Sequence, residues 1–387
     1  MRILAFNYEY PPLGGGGGVV FQAMYDELAK RHDVTIVTSG HGELPRIETR
    51  YGQEIHRVPV FGRDKLATAS FRSMLSYVPA SWRCGKRLLT EDRFDLINTH
   101  FAVPTGPAPQ DLSERFGVPN VLSLHGGDIY DPSKRMSPHR LPLVRAVVRR
   151  LIARASRVVA QSSDTRNNAR TFYGAQRDID VIPLGIKAPH VPPRDRSCLG
   201  VGPERFVLVT VGRIVARKGL EALLEVMRRL DDPHDLLVVV GRGPLLPELQ
   251  ARARALGVAD RVRFTGRVSE EDKWRLLVAS DLYVSTALHE GFGLVFLEGM
   301  LAGLPVVCHD CGGQTDFLED GRTGALVPLH DLDSFAAAIR RLKSDAALRA
   351  QCGEFNRGRA TEYSIEKCAA RYETLFDEVV TGYGRDR

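Results

Sequence analysis

RFVLVTVGRIVARKGLEALLEVMRRL, residues 205–230, decides the architecture. RFVLVTVG (205–212) is a near-continuous apolar run, which reads as a strand buried on both faces. A short basic loop follows, and GLEALLEVMRRL (219–230) has the spacing of a helix with one apolar face. Strand, loop and helix in that order form the repeating unit of a covered parallel sheet.

The same alternation runs downstream. DLLVVVG (235–241), RVRFTG (261–266), DLYVSTA (281–287), LPVVCH (304–309) and GALVP (324–328) read as strands. Helices are expected at 243–256, 269–279, near 292–302, and at about 331–343 and 345–356. Upstream, strands are expected at 2–8, 33–39, 54–60, 94–100, 119–126, 156–162 and 179–185. Helices are expected between them at 19–31, around 70–91, at 104–116 and in a basic stretch at 139–157. Residues 186–205, IKAPHVPPRDRSCLGVGPER, carry the Pro, Gly and charge of a linker. The expectation is α/β: two doubly wound halves of similar size with a cleft between them and a last amphipathic helix at about 364–381. In such sheets ligands sit at the carboxyl ends of strands, so each motif is judged by that placement.

The bulk numbers fit this reading. The chain has 387 residues, 43% hydrophobic and 26% charged, which is ordinary for a globular protein of two domains. It has no apolar run of 18 residues, and MRILAFNYEYPP reads as a buried strand, not an export signal, so a cytoplasmic location is the default expectation. Six scattered cysteines read as free thiols. Cys308-His309-Asp310-Cys311 has no second ligand pair at zinc spacing and reads as a strand end entering a loop. The formal charge of +6 is uneven: ten Lys/Arg stand against one acid, Asp164, between Lys134 and Arg170. Leu143, Val147, Leu151 and Ile152 lie at helical spacing among these arginines. That pattern suits a solvated helix packed on its neighbours, or a helix resting on an anionic membrane. Nucleic acid is disfavoured, because no exposed aromatics interleave with the basic residues.

Four motifs meet the placement test. LGGGGG (13–18) follows the first strand and opens a helix, so its backbone, at Gly15 and Gly16, can approach a phosphate. LHGGD (124–128) puts His125 and Asp128 at a strand's carboxyl end, with His125 suited to a hydroxyl or an oxyanion. GRIVARKG (212–219) places Arg213 and Lys218 on one loop before a helix, a combination that suits a diphosphate, with Arg217 a third candidate. HEGFGLVFLEGMLAGLPVV (289–307) holds Glu290 at a helix entrance and Glu298 about two turns in, a separation of about 10–12 Å from helix rise. That is too long for one metal ion and suits the two ends of a long ligand. The amides of Gly291, Phe292, Gly293 and Leu294 lie between.

Together these residues resemble the retaining glycosyltransferases of family 4, with the GT-B fold. The resemblance covers essentially the whole chain. It rests most firmly on Glu290-x7-Glu298, then on GLPVV, GGQTDFLEDGRTGALV (312–327), the GR…KG loop, the glycine loop and VIPLGI (181–186). It implies an acceptor-binding domain at 1–187, with the helix at about 364–387 packed back on it, and a donor-binding domain at 188–363. Glu290 would touch the donor sugar, Glu298 the ribose, and Arg213 and Lys218 the diphosphate. His125 would meet the sugar. Gly15, Gly16, Gly241, Gly291, Phe292, Gly293 and Leu294 would line the donor, with the base received near Arg267 and Val268. No metal or other cofactor is implied, since the cations neutralise the leaving diphosphate. The acceptor would be a glycan, a lipid-linked molecule or a small molecule read by loops near 61–82 and 128–142, with the enzyme peripheral to a membrane. CHDCGG and Gln314-Thr315-Asp316 depart from the common pattern near the sugar. DID (178–180) lies at a strand start, the wrong end for a site. A nucleotide-sugar epimerase of the same fold, or a silent membrane-attached sugar-nucleotide-binding protein, are the alternatives; a nicotinamide enzyme lacks its dinucleotide fingerprint.

Overall fold

The computed structural model describes residues 1–63, 66, 69–187 and 190–385. The chain divides into two compact units. The first comprises Met1–Asp131, Arg135–Lys187 and Ser364–Arg387; the second comprises Pro132–Lys134 and Ala188–Tyr363.

The first unit runs β1 (Arg2–Asn7), α1 (Gly16–Leu28), β2 (Asp33–Ser39), β3 (Ile47–Arg50), β4 (Gln53–Val58), α2 (Phe71–Glu91), β5 (Leu96–His100), α3 (Pro107–Phe116), β6 (Asn120–Leu124), α4 (Pro142–Arg154), β7 (Arg157–Ala160), α5 (Ser163–Tyr173) and β8 (Asp180–Val181). Its sheet has the order β3-β4-β2-β1-β5-β6-β7-β8 and is parallel except for the β3–β4 pair. The second unit runs β9 (Phe206–Val211), α6 (Leu220–Leu230), β10 (Asp235–Val240), α7 (Leu246–Ala255), β11 (Val262–Gly266), α8 (Glu270–Ala279), β12 (Leu282–Ser285), α9 (Leu294–Leu301), β13 (Val306–His309), β14 (Gly324–Val327), α10 (Leu332–Ser344) and α11 (Ala346–Ala360). Its sheet, β11-β10-β9-β12-β13-β14, is parallel throughout. The final helix, α12 (Ile365–Arg385), belongs to the first unit.

Central strands are apolar and buried along their whole length, as strands covered on both faces must be: β9 and β10 have no exposed residue. Around them Leu208, Leu223, Met227, Leu237, Val284 and Phe335 form the core of the second unit. In the first unit Leu4, Phe6, Val37, Tyr77 and Ile97 fill one face, and Leu122, Val148, Leu151 and Val158 another.

The differences from the sequence reading are local. The antiparallel β3 was not anticipated: IETR is mostly exposed and carries no apolar alternation. The strand expected over 179–185 is two residues long. The acceptor-reading stretch expected near 61–82 runs into the helix expected around 70–91: α2 starts at Phe71, where Ser70 caps it by accepting from Ser73 N; residues 64, 65, 67 and 68 of that stretch lie outside the described residues.

Helix α12 packs on α1, and polar contacts tie it to the rest of the first unit. Ile365 N donates to Ile186 O at 3.0 Å, Tyr372 Oη lies 3.0 Å from Ser123 Oγ, and Arg31 and His32 both reach Glu373. Phe376, on α12 itself, is fully buried. Replacing Phe376 by Ala is expected to cost the first unit about 3–5 kcal/mol. Denaturant unfolding should show an earlier transition for that unit and an unmoved one for the second.

Candidate functional site

In each sheet the chain order reverses at one place: between β1 and β5, and between β9 and β12. Loops leaving the carboxyl ends of those strands diverge there, which is where parallel sheets hold ligands. The glycine loop follows β1, His100 ends β5, the loop 212–219 follows β9, and Glu290 follows β12.

In the second unit the loops after β9 and β12 are stitched together. A tight turn over Ala216–Lys218 brings two consecutive cations to one carboxylate. Lys218 Nζ donates to Glu290 Oε1; Arg217 NH1 donates to Glu290 Oε2 at 2.7 Å and to His289 O at 2.5 Å. Leu288 N donates to Arg217 O at 2.8 Å, and Thr286 Oγ1 to Gly219 O at 2.9 Å. Glu290 is only 6% exposed. Burial alone would raise its pKa, but Lys218 and Arg217 hold it down to about 2. Arg213 stands exposed on the same loop. Sequence spacing favoured Arg213 with Lys218; the carboxylate's own partners are Arg217 and Lys218.

Glu290 is not on the helix. Gly291, Phe292 and Gly293 form a bend, and Gly293 has φ +96°, where a side chain would be strained and would also strike the Phe296 ring. Helix α9 therefore starts at Leu294, and Glu298 lies about one turn in, not two, so the helix-rise separation does not apply. Of the first-turn amides of α9, Phe296 N donates to Gly293 O at 3.0 Å, and a helix start leaves the amides ahead of it without intrahelical acceptors. The Phe292 ring packs inward on Phe317, centroids 5.2 Å apart, leaving its backbone for the site. Glu298 Oε1 accepts from Lys273 Nζ at 2.7 Å. Its Oε2 is buried and has no hydrogen-bond partner among the described residues. Burial raises the Glu298 pKa. Lys273 on α8 gave no signal in the sequence; its EEDKW setting reads as a solvated helix start.

In the first unit His125 is buried and Asp128 braces its loop. Asp128 Oδ1 accepts from His125 N at 2.9 Å and Oδ2 from Ala102 N at 2.6 Å. Burial raises Asp128 to about 6 even against these amides. His125 Nε2 lies 2.8 Å from Nδ1 of His100, a residue the motif search passed over although it too ends a strand. Burial lowers His125 to about 4 and also holds His100 well below the ordinary histidine range. Phe101 stacks on His125, centroids 4.2 Å apart, with φ +69°. For an aromatic residue that backbone costs on the order of 1–3 kcal/mol and is held by surrounding structure. Its ring lies over Gly17, where any Cβ would come within 2.7 Å of it. The glycine loop is thus shaped partly by Phe101. Gly15 caps α1 and donates to Glu9 Oε2 at 3.2 Å, and Gly16 begins the helix.

The other candidates are placed simply. Gly241 follows β10 against Gly212; Arg267 is exposed and Val268 half-buried in the loop after β11. Asp180 of the DID stretch pairs with Arg157 at 2.9 Å. Cys308 is buried, and the half-buried Cys311 donates its thiol to Ala287 O at 3.7 Å and Leu288 O at 3.6 Å. On α4 the supposed apolar stripe divides: Leu151 and Ile152 are buried with Val148, while Leu143 is 85% and Val147 40% exposed.

The Glu290 ion pairs make a pH prediction. The carboxyl titrates near 4.5 when free and at about 2 in the fold, so its stabilisation is whole above about 4.5 and is lost as pH falls toward 2. Glu290→Gln should cost about 1.5–3 kcal/mol at neutral pH. In melts, the gap to wild type should narrow below about pH 4.5. A gap that stays constant with pH would mean that the charge is not what stabilises.

Comparison with known proteins agrees with this geometry. The family model described as Glycosyltransferase Family 4 matches residues 14–188, and that described as Glycosyl transferases group 1 matches residues 193–359. The chain is 28% identical, over 91% of each sequence, to the GDP-mannose-dependent alpha-(1-6)-phosphatidylinositol monomannoside mannosyltransferase of Mycolicibacterium smegmatis. It is 29% identical to the D-inositol 3-phosphate glycosyltransferase of Paenarthrobacter aurescens, over 97% of this chain and 96% of that one. The sucrose-phosphate synthase of Thermosynechococcus elongatus shares the fold with a TM-score of 0.86 at 21% identity, over 99% and 100% of the two chains. The chain belongs to the family 4, group 1 glycosyltransferases: it is a GT-B enzyme that takes a sugar from a nucleotide-linked donor.

Proposed function

We propose that the enzyme transfers a hexosyl group from a nucleoside diphosphate sugar to an acceptor hydroxyl with retention of configuration, by front-face attack and without a metal ion. The observation that carries the donor reading is Glu298. Lys273 pins one of its oxygens, and the other is a buried acceptor with no partner among the described residues, which the vicinal hydroxyls of a ribose would satisfy. Lys218, Arg217, Arg213 and the first-turn amides of α9 then serve the diphosphate. Glu290 keeps Lys218 and Arg217 ordered, Arg267 and Val268 receive the base, and His125 meets the transferred sugar.

The carboxylates support the front-face step. Glu290 is held by two cations, Glu298 by Lys273, and both oxygens of Asp128 by backbone amides. In this reading Glu290 and Asp128 hold their neighbours and the second oxygen of Glu298 holds the ribose, which leaves the departing diphosphate oxygen to take the acceptor's proton while the C–O bond to the sugar breaks and the new one forms on the same face. The cations stabilise the growing charge on the diphosphate, so Lys218→Ala should lower kcat by about 10²–10³.

For the acceptor we propose an inositol phosphate, free or within a lipid, in glycolipid or cell-surface glycan synthesis. The two relatives' names share that chemistry. The decisive measurement is thermal stabilisation and slow hydrolysis across a panel of nucleotide sugars in excess EDTA. One donor should stabilise wild type, be hydrolysed at a rate that EDTA changes less than about twofold, and lose its effect in Glu298→Ala. Binding to none of them would overturn the reading.

A lipid-linked acceptor fits the outward face of α4. Leu143 and Val147 project there, Met136 just before it is 67% exposed, and Arg145, Arg149 and Arg150 flank them in the open. We propose that this face rests on anionic lipid. Vesicles containing phosphatidylglycerol should co-sediment the protein in a salt-sensitive way, and neutral vesicles should not. With about 1 kcal/mol per basic residue, the double variant Arg149→Gln/Arg150→Gln should bind on the order of 30-fold more weakly.

A further inference from the structure

One carbonyl fixes the proton positions along a chain of buried side chains in the first unit. Val121 O can only accept, and Asn98 Nδ2 donates to it at 2.9 Å. That sets the orientation of the Asn98 amide, so Asn98 Oδ1 is the atom facing His100 Nε2 at 2.7 Å and Tyr25 Oη at 2.7 Å. An amide oxygen accepts, so His100 Nε2 carries a proton. His100 is fully buried between the rings of Phe21, Tyr25 and Tyr372, and burial keeps it neutral. Its Nδ1 therefore bears the lone pair. Across the 2.8 Å contact the proton must belong to His125 Nε2. His125 is neutral for the same reason, so its Nδ1 is left as an acceptor. That Nδ1 is buried and has no hydrogen-bond partner among the described residues; the Gln161 side chain, close to the ring, gives its amide NH2 to the His125 carbonyl. The ring cannot easily turn to find one: Phe101 lies on its face, and its backbone is tied down through Asp128 and Gln161.

We propose that His100 is a positioning residue: it locks His125 in the Nε2–H tautomer, so that His125 offers the transferred sugar an acceptor and selects donors bearing a hydroxyl at the contacted carbon. The specificity claim rests on the donor reading above; the tautomer does not. A pocket built around an acceptor rejects the analogue that lacks the matching hydroxyl, because the buried lone pair is then left unpaired.

The test has two arms. The chain has eleven histidines, so ¹⁵N-histidine labelling gives a tractable spectrum, with His125 identified by its loss in His125→Gln. Long-range ¹H–¹⁵N correlations should find His125 Nδ1 unprotonated in wild type. His100→Asn keeps an acceptor near the Nδ1 position and should keep the tautomer; His100→Phe removes it and should give a mixture. In kinetics, a series of singly deoxygenated donors should include one that wild type rejects by on the order of 10² or more in kcat/KM. That ratio should persist in His100→Asn and fall at least tenfold in His100→Phe. A protonated Nδ1 in wild type would overturn the proposal. So would two variants that behave alike, whether both keep or both lose tautomer and discrimination. If His100→Phe fails to fold, wild type and His100→Asn still decide the tautomer. An enzyme that turned over no nucleotide sugar would still report it, so the two readings fail separately.

Discussion

A carboxylate out of water between two cations sets the form of the second unit's ligand-facing edge. Glu290 is tolerable there only because Lys218 and Arg217 are within hydrogen-bond reach. Taken alone, a buried carboxylate costs several kcal/mol, and so do two cations drawn close together. The three residues therefore stand or fall as a set, although some seventy residues separate them in sequence. Their pairing dictates the loops. The turn at Ala216–Lys218 must be tight enough to present adjacent cations to one group, and the bend from Gly291 to Gly293 must release Glu290 from α9. The arrangement also has a kinetic meaning. Lys and Arg side chains lose rotamer freedom when they grip a ligand, and here the protein's own carboxylate has already ordered them.

How far the sequence could anticipate this depended on whether a feature is local. Parallel strands and their helices were legible because burial on both faces leaves a continuous apolar run, and α2 was located almost to the residue. The carboxyl-end rule picked out His125, Glu290 and the 212–219 loop, because strand, turn and helix follow one another along the chain. It was silent on Lys273, whose role comes from where α8 packs. It also left Arg213 and Arg217 unresolved, since a choice between them depends on the pitch of a three-residue turn. His100 satisfies the same rule as His125, but its role comes from a contact with a side chain 25 residues along the chain, which no local pattern announces. The helix-rise argument for Glu298 failed because Gly293, at positive φ, cannot belong to the helix that its neighbours' apolarity suggested.

The glycine run has a structural reason that composition alone does not show. Five glycines after the first strand suggest a backbone opened for a ligand. In the fold, the absent side chain at Gly17 makes room for the Phe101 ring, and Phe101 in turn covers the face of His125. Gly15 meanwhile gives its amide to Glu9. At least part of the glycine requirement is therefore internal: it allows a strained aromatic residue to brace a histidine. Strain of that kind persists where the surroundings over-determine it, which is itself a reason to regard the braced histidine as functional.

The two units solve the same problem with different chemistry, and the contrast follows from the ligands proposed for them. A diphosphate is charged, and only full charges, ordered in advance, compensate for stripping its water; the second unit holds cations against a carboxylate. A sugar is neutral, and a buried charge beside it would be costly without adding much attraction. The first unit accordingly offers a neutral ring whose proton is directed by another neutral ring, a side-chain amide and a backbone carbonyl. Charge fixes how strongly a group is held. A chain of tautomers fixes which way a hydrogen bond points, and for a hydroxyl among several similar hydroxyls, direction is what distinguishes one sugar from the next.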